Sequence, residues 1–198
     1  MSQTPAFSVC VYCGSKHGTD PRFAAVATEV GQWIGSHGGQ LVYGGGRNGL
    51  MGILADSTRA AGGRVVGVIP KALVEREWAH EGCDELHIVD TMHERKLIMN
   101  RMCDGVITLP GGWGTMEELF EMLTWGQLGL HRKPIGLLNV NGYYEALKAL
   151  CSNMVTEGFL EECTNQSLLM SSSPDELLDM MLQFEPLPVP KWLTERTT

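Results

Sequence analysis

From Gly105 onward the chain passes from an apolar run, Gly105 to Leu109, through Pro110-Gly111-Gly112-Trp113-Gly114 into a helical pattern. A buried strand that turns through three glycines directly into a helix is the connection of a parallel α/β sheet, and few other architectures use it. The spacing predicts a helix opened by Thr115 and continuing through Leu119, Phe120, Leu123 and Leu128. Glycines let the backbone approach a ligand closely, and the free N–H groups at a helix start attract an anion, most often phosphate. Pro-Gly-Gly also occurs as a plain tight turn, so the turn alone decides nothing. The helical wheel adds Glu118. With Met116, Leu119, Phe120 and Leu123 on the buried side and Glu117, Glu121 and Thr124 on the polar side, Glu118 falls at the seam. A half-buried carboxylate beside an anion site is a common setting for an acid–base group. Glu117 fits a solvated glutamate favoured by the helix dipole.

The remainder repeats the same unit. Phe7 to Cys13 is a predicted strand that ends at Gly14-Ser15, and Thr19-Asp20-Pro21 opens the next helix with a capping oxygen and a first-turn proline. Its buried stripe is Phe23, Val26, Ala27, Val30 and Ile34, and Gly38-Gly39 stops it. Leu41 to Tyr43 is a second strand running into Gly44-Gly45-Gly46-Arg47-Asn48-Gly49-Leu50-Met51-Gly52. That turn is neither a Walker loop nor a GxGxxG fingerprint. Two glycine turns at strand ends nevertheless point to one site, because parallel α/β sheets gather ligands at the carboxyl ends of their strands. Gly14, Ser15, Gly45 and Gly46 therefore join the candidates; Arg47 reads either as a phosphate contact or as an exposed loop cation.

After a helix through Ala55 to Ala61, further strands are predicted at Arg64 to Ile69, Leu86 to Val89, Pro134 to Leu138 and Leu168 to Met170. Helices are predicted over Thr91 to Cys103, Tyr143 to Thr156 and Pro174 to Phe184. Lys71 to Gly82 reads as an irregular or short helical connection overhanging the site. About seven strands alternating with helices make a doubly wound, Rossmann-like parallel sheet in one domain over residues 1–185. Residues 186–198, with Pro186, Pro188 and Pro190, read as an extended tail.

The Thr91 to Cys103 helix carries the most informative departure from pattern. Met92, Ile98, Met99, Met102 and Cys103 define an apolar face, and Arg95 projects from its middle. A cation there is costly unless it is paired or faces a polar cavity, although it also has the option of snorkelling to the rim. Lys96 points elsewhere.

Composition limits the partners. The 198 residues are 43% hydrophobic with a formal charge of −8, which argues against a nucleic-acid polymer or an anionic membrane as partner. No apolar run approaches membrane-spanning length and no signal-peptide pattern is present, so a cytoplasmic location is expected. Of six cysteines, Cys10 and Cys13 have CxxC spacing, but on a strand their side chains point to opposite faces. No second CxxC completes a zinc site, and reduced, buried thiols are expected.

The set Gly44-Gly45-Gly46 with Gly49-Leu50-Met51-Gly52, Met92-His93-Glu94-Arg95-Lys96, and Pro110-Gly111-Gly112-Trp113-Gly114-Thr115-Met116-Glu117-Glu118 resembles the LONELY GUY family. These are cytokinin riboside 5′-monophosphate phosphoribohydrolases, a family often labelled possible lysine decarboxylases. The similarity runs from about Val9 to Phe159. It implies a Rossmann-like homodimer with sites near the subunit interface and a nucleoside 5′-monophosphate as small-molecule substrate. It makes Arg95 and Glu118 the catalytic pair and Gly112 to Thr115 the phosphate loop, with Lys96, Glu77 and Thr124 as further substrate contacts. The candidate substrate-binding run is then Gly111, Gly112, Trp113, Gly114, Thr115, Met116 and Glu117.

Breaking an N-glycosidic bond builds positive charge on the ribosyl C1′, which a carboxylate stabilises, or answers by activating water. That suits Glu118 and calls for neither metal nor cofactor. Arg95 is suited to gripping phosphate or ribose, or to orienting Glu118. Trp113, Met92, Met99 and Trp125 read either as an apolar surface for an N6 prenyl group or as core. Two rival classes stand beside this one: a non-catalytic nucleotide or cofactor carrier of the same fold, and a pyridoxal phosphate-dependent decarboxylase. The latter needs a Schiff-base lysine, and Lys71, Lys96 and Lys133 show no partner set for the cofactor.

Overall fold

Seven strands pair side by side in the order β4-β3-β2-β1-β5-β6-β7, every neighbouring pair parallel. They are β1 (Ser8–Tyr12), β2 (Gln40–Tyr43), β3 (Arg64–Pro70), β4 (Glu85–Val89), β5 (Gly105–Thr108), β6 (Ile135–Leu138) and β7 (Leu168–Ser171). The structure, a computed structural model, describes residues 4–75 and 79–186. Glu77 and Trp78 lie outside the described residues, as does the expected tail apart from Pro186.

The helices are α1 (Pro21–Ser36), α2 (Gly49–Ala60), α3 (Lys71–Val74), α4 (Met92–Arg101), α5 (Trp113–Gln127), α6 (Glu145–Thr156), α7 (Glu162–Gln166) and α8 (Pro174–Leu182). Strand alternation divides the core between the two faces of the sheet. Val9, Val11 and Cys13 pack with α1, α2 and α8 through Ala27, Ile34, Leu54 and Leu177, whereas Cys10 and Tyr12 pack with α4 and α5 through Met99, Leu119 and Met122. Cys10 and Cys13 thus face opposite layers, as the strand period requires, and all six cysteines are unpaired.

That division places the site. β1 and β5 are neighbours, but the chain leaves β1 for α1 on one face and β5 for α5 on the other. The winding of the chain therefore reverses between them, and the carboxyl ends of the strands at such a reversal are where an open α/β sheet binds its ligand.

Several boundaries and faces differ from the sequence reading. α5 begins at Trp113, with Gly112 at its N-cap, two residues earlier than Thr115. Its buried residues are Thr115, Glu118, Leu119 and Met122, with Met116, Phe120 and Leu123 half-buried, so Glu118 is 7% exposed rather than at a seam. On α4 the buried residues are Arg95, Lys96 and Met99, while Met92 is 43% exposed. Both differences have one cause: α4 and α5 meet each other through charged groups, a contact that hydrophobic periodicity does not register. Tyr143 and Tyr144 precede α6 instead of opening it, because Asn139 accepts the Tyr144 N–H and a 3-10 turn at Val140–Gly142 delays the helix. The short helix α7 was not foreseen. Among the described residues no helix is long and apolar enough to cross a membrane.

Candidate active site

α4 is held at its start by a reciprocal cap: Thr91 Oγ1 accepts the Glu94 N–H at 3.1 Å, and Glu94 Oε2 accepts the Thr91 N–H at 3.1 Å. One turn on, Arg95 leans over the end of the sheet. Its Nε donates to the Val68 carbonyl on β3 at 3.0 Å, and its Nη1 donates to Glu118 Oε1 on α5 at 2.8 Å. Gly44, at the end of β2, makes this path open: a Cβ there would lie 2.0 Å from Arg95 Nη2. The guanidinium and the carboxylate are 8% and 7% exposed as residues, so the pair is buried. Burial drives the Glu118 carboxyl above its ordinary value of 4.5; the Arg95 charge opposes that and Glu117 adds to it.

Lys96 also turns toward α5, to a different pair. Its Nζ donates to Glu117 and, at 3.0 Å, to Glu121. Burial alone would lower the ammonium, but these two carboxylates outweigh it and the net shift is upward. With its Nζ tied to these two carboxylates, Lys96 is held away from the role of a Schiff-base nucleophile. Lys133 is likewise engaged, donating to the Asn100 carbonyl and side chain.

The glycine turns of β1 and β5 bind each other. Gly14 N–H donates to the Pro110 carbonyl at 3.0 Å, and a Cβ on Gly111 would lie 2.1 Å from Thr115 Oγ1 and 2.9 Å from the Gly14 nitrogen. Gly111 is therefore demanded by packing. Gly112 and Gly114 are different, since a Cβ on either meets nothing within 4 Å. Among the described residues the N–H groups of Gly111 and Gly112 have no acceptor, and the first turn of α5 adds further free N–H groups. The chemistry of such a turn is anion binding. Beside it lies a cavity of ≈ 330 Å³ lined by Gly14, Ser15, Lys16, Phe23, Gly111 and Tyr143 among others. The Arg95–Glu118 pair does not line that cavity; it sits on the α4–α5 face of the sheet.

The remaining candidates divide. Gly45 and Gly46 are buried next to Gly44, and His80, in the connection after β3, pins them, its N–H donating to the Gly45 carbonyl at 2.9 Å. Arg47 is an exposed loop cation. Met99 is fully buried core and Trp125 packs against core, while Trp113 is 93% exposed at the start of α5. Thr124 is exposed on α5, as Glu117 is, with its hydroxyl bonded back to the Phe120 carbonyl. Sequence reasoning missed Tyr143, whose hydroxyl donates to the Gly111 carbonyl at 2.6 Å, and the aromatic pair Tyr143-Tyr144 after a glycine was the available signal.

Comparison with known proteins adds an independent line. A family model described as possible lysine decarboxylase matches residues 51–181. A probable cytokinin riboside 5′-monophosphate phosphoribohydrolase of Oryza sativa subsp. japonica is 48% identical over 176 residues, covering 89% of this chain and 79% of the relative. A cytokinin riboside 5′-monophosphate phosphoribohydrolase of Arabidopsis thaliana is 43% identical over 178 residues, covering 90% and 82%. Among solved structures, the molybdenum cofactor binding protein of Rippkaea orientalis aligns with a TM-score of 0.69 at 21% identity, covering 92% of this chain and 98% of that one. The molybdenum cofactor carrier protein of Chlamydomonas reinhardtii aligns at 0.66 and 18%, covering 92% and 100%. At such identities the solved structures establish the shared fold.

The two kinds of glycine predict different failures. Gly112→Ala is expected to keep its melting temperature within about 1 °C, because the new methyl meets open space, and millimolar inorganic phosphate is expected to stabilise the unsubstituted chain but not this variant. Equal stabilisation of both proteins in a thermal-shift titration would show that the turn holds no anion.

Proposed function

The chain belongs to the cytokinin riboside 5′-monophosphate phosphoribohydrolase family, and we propose that it hydrolyses the N-glycosidic bond of an adenosine 5′-monophosphate, releasing the free base and ribose 5-phosphate. The observation that carries the mechanism is the buried Arg95–Glu118 contact, whose carboxylate stands on α5, the helix that the turn of free backbone amides opens. The amides of Gly111, Gly112 and the first turn of α5 hold the 5′-phosphate, and this remote binding energy fixes the ribose. As the C1′–N9 bond breaks, positive charge gathers on C1′, and the Glu118 carboxylate stabilises it at close range in a medium of low polarity. Water supplies the hydroxyl to C1′, and the proton it gives up ends on the departing base. Arg95 holds Glu118 in position and keeps it ionised against the pull of burial. A buried ion pair is a poor device for stability alone, which supports a functional reason for this one.

The N6-substituted nucleotide is the substrate that the relatives' names favour, and Trp113, exposed beside the turn, provides an apolar surface for such a group. The Lys96 ammonium, Glu77 and Thr124 are further substrate contacts in this reading. The protein acts in the cytoplasm as a homodimer. Support for the dimer comes from the face built by α5, α6 and the chain after α6, where Phe159 is 86% exposed and Leu150 48% exposed beside a cavity of ≈ 230 Å³. Sedimentation at micromolar concentration returns twice the chain mass; the monomer mass would remove this assembly. The decarboxylase label has no support from the lysines, and the structural likeness to cofactor carriers extends to the fold alone.

Purified protein given AMP and isopentenyl-AMP without cofactor releases free base and ribose 5-phosphate, and the two rates set its preference. Glu118→Gln, which keeps size and shape, and Arg95→Ala, read alongside its melting temperature, each lower turnover at least about 100-fold. Unchanged turnover in either variant would end that residue's assigned role. Because catalysis requires ionised Glu118 and burial raises its pKa, activity falls as the pH drops through a value above the ordinary 4.5. A kcat/KM profile whose acid limb lies at or below that value contradicts the assignment.

A further inference from the structure

The β5–α5 turn has each of three successive carbonyls bonded. The buried Tyr144 hydroxyl donates to Leu109 O at 2.7 Å, Gly14 N–H donates to Pro110 O at 3.0 Å, and the Tyr143 hydroxyl donates to Gly111 O at 2.6 Å. In a trans peptide the C=O and the N–H of one unit point in opposite directions. Holding the Pro110 carbonyl against Gly14 therefore turns the Gly111 N–H away from Gly14. In the same way, holding the Gly111 carbonyl against Tyr143 turns the Gly112 N–H away from Tyr143. Pro110 has no N–H, so these are the first two amides the turn can present. Both are without a protein acceptor among the described residues.

We propose that Tyr143 and Tyr144 are positioning residues that orient the backbone amides of the glycine turn for the substrate's 5′-phosphate, a role that rests on the phosphoribohydrolase reading above. The tyrosines are themselves fixed from behind. Asn139 Oδ1 accepts the Tyr144 N–H at 2.7 Å, and Asn139 Nδ2 donates to Glu145 at 2.6 Å. Asn141 Nδ2 donates at 3.0 Å to Asp20, the N-cap of α1, so the turn before α6 is tied to the helix that follows β1. The Tyr143 ring packs edge-on against Phe23 at 5.7 Å and against Tyr144 at 4.9 Å. A glycine turn has little conformational preference of its own, and its orientation must come from neighbours. An unoriented turn would lose entropy on binding the phosphate; the two hydroxyls remove that cost beforehand. Tyr143 is 45% exposed and its hydrogen bond to Gly111 O is reached by water, which can take the place of the hydroxyl without cost to the fold.

Tyr143→Phe removes one hydroxyl and nothing else. Steady-state kinetics on a nucleoside 5′-monophosphate, with ribose 5-phosphate as competitive inhibitor, give a KM and an inhibition constant each raised about fivefold to tenfold, while kcat stays within about twofold and the melting temperature within about 2 °C. Tyr144→Phe raises the same constants but also lowers the melting temperature, since it leaves a buried carbonyl unpaired. If KM and the inhibition constant are unchanged in Tyr143→Phe, the positioning role is overturned and the hydrolase reading stands. A fall in kcat at constant KM overturns it too, by placing Tyr143 at the reacting centre. Should the unsubstituted protein release no base and bind no ribose 5-phosphate, the hydrolase reading fails and this proposal falls with it.

Discussion

A guanidinium and a carboxylate shut away from water 2.8 Å apart set the terms for everything around them. Removing two charges from water costs several kcal/mol for each ion, and their attraction offsets this only when the geometry is close and the other donors are satisfied. The chain meets that demand from four places: the reciprocal cap that starts α4, the Val68 carbonyl that takes Arg95 Nε, the missing side chain at Gly44, and α5, which carries Glu118 one turn inside its start. Losing the Val68 carbonyl would leave a buried donor unpaired, and losing Glu118 would leave the guanidinium buried without its counter-charge. Apolar residues of similar size would hold the helices together at least as well, so stability alone does not account for the pair.

Topology brings that chemistry to a substrate. Because α1 and α5 leave neighbouring strands on opposite faces, the winding of the chain reverses between β1 and β5, and glycines of the loops after both strands line a cavity there. The same two loops are hydrogen-bonded to each other through Gly14 and Pro110. The turn and Glu118 are thus carried by elements that bond to one another and to the sheet, which leaves them little freedom to move apart.

Much of this was legible in the chain itself. Alternation of apolar runs, glycine turns and amphipathic helices predicted all seven strands and the parallel, Rossmann-like sheet, because these signals are local and repeat with fixed periods. The CxxC at Cys10 and Cys13 was correctly read as two residues on opposite faces for the same reason. Arg95 stood out as a charge in the middle of an apolar face and Glu118 as a carboxylate at the seam of its helix, and the comparisons give the family.

What the sequence determined by itself was therefore the periodic framework, the two glycine turns and the identity of the ionisable residues, each encoded within a few positions of the chain. Only the tertiary structure decided that Arg95 meets Glu118 while its neighbour Lys96 meets Glu117 and Glu121, that Gly44 is vacant for a guanidinium, and that Tyr143 and Tyr144 hold the β5–α5 turn from 32 and 35 residues away. Helical periodicity treats a charge as solvent-facing, whereas two charged faces pressed together are buried by each other. Such a contact depends on the relative placement of two helices, a quantity that no window of sequence contains.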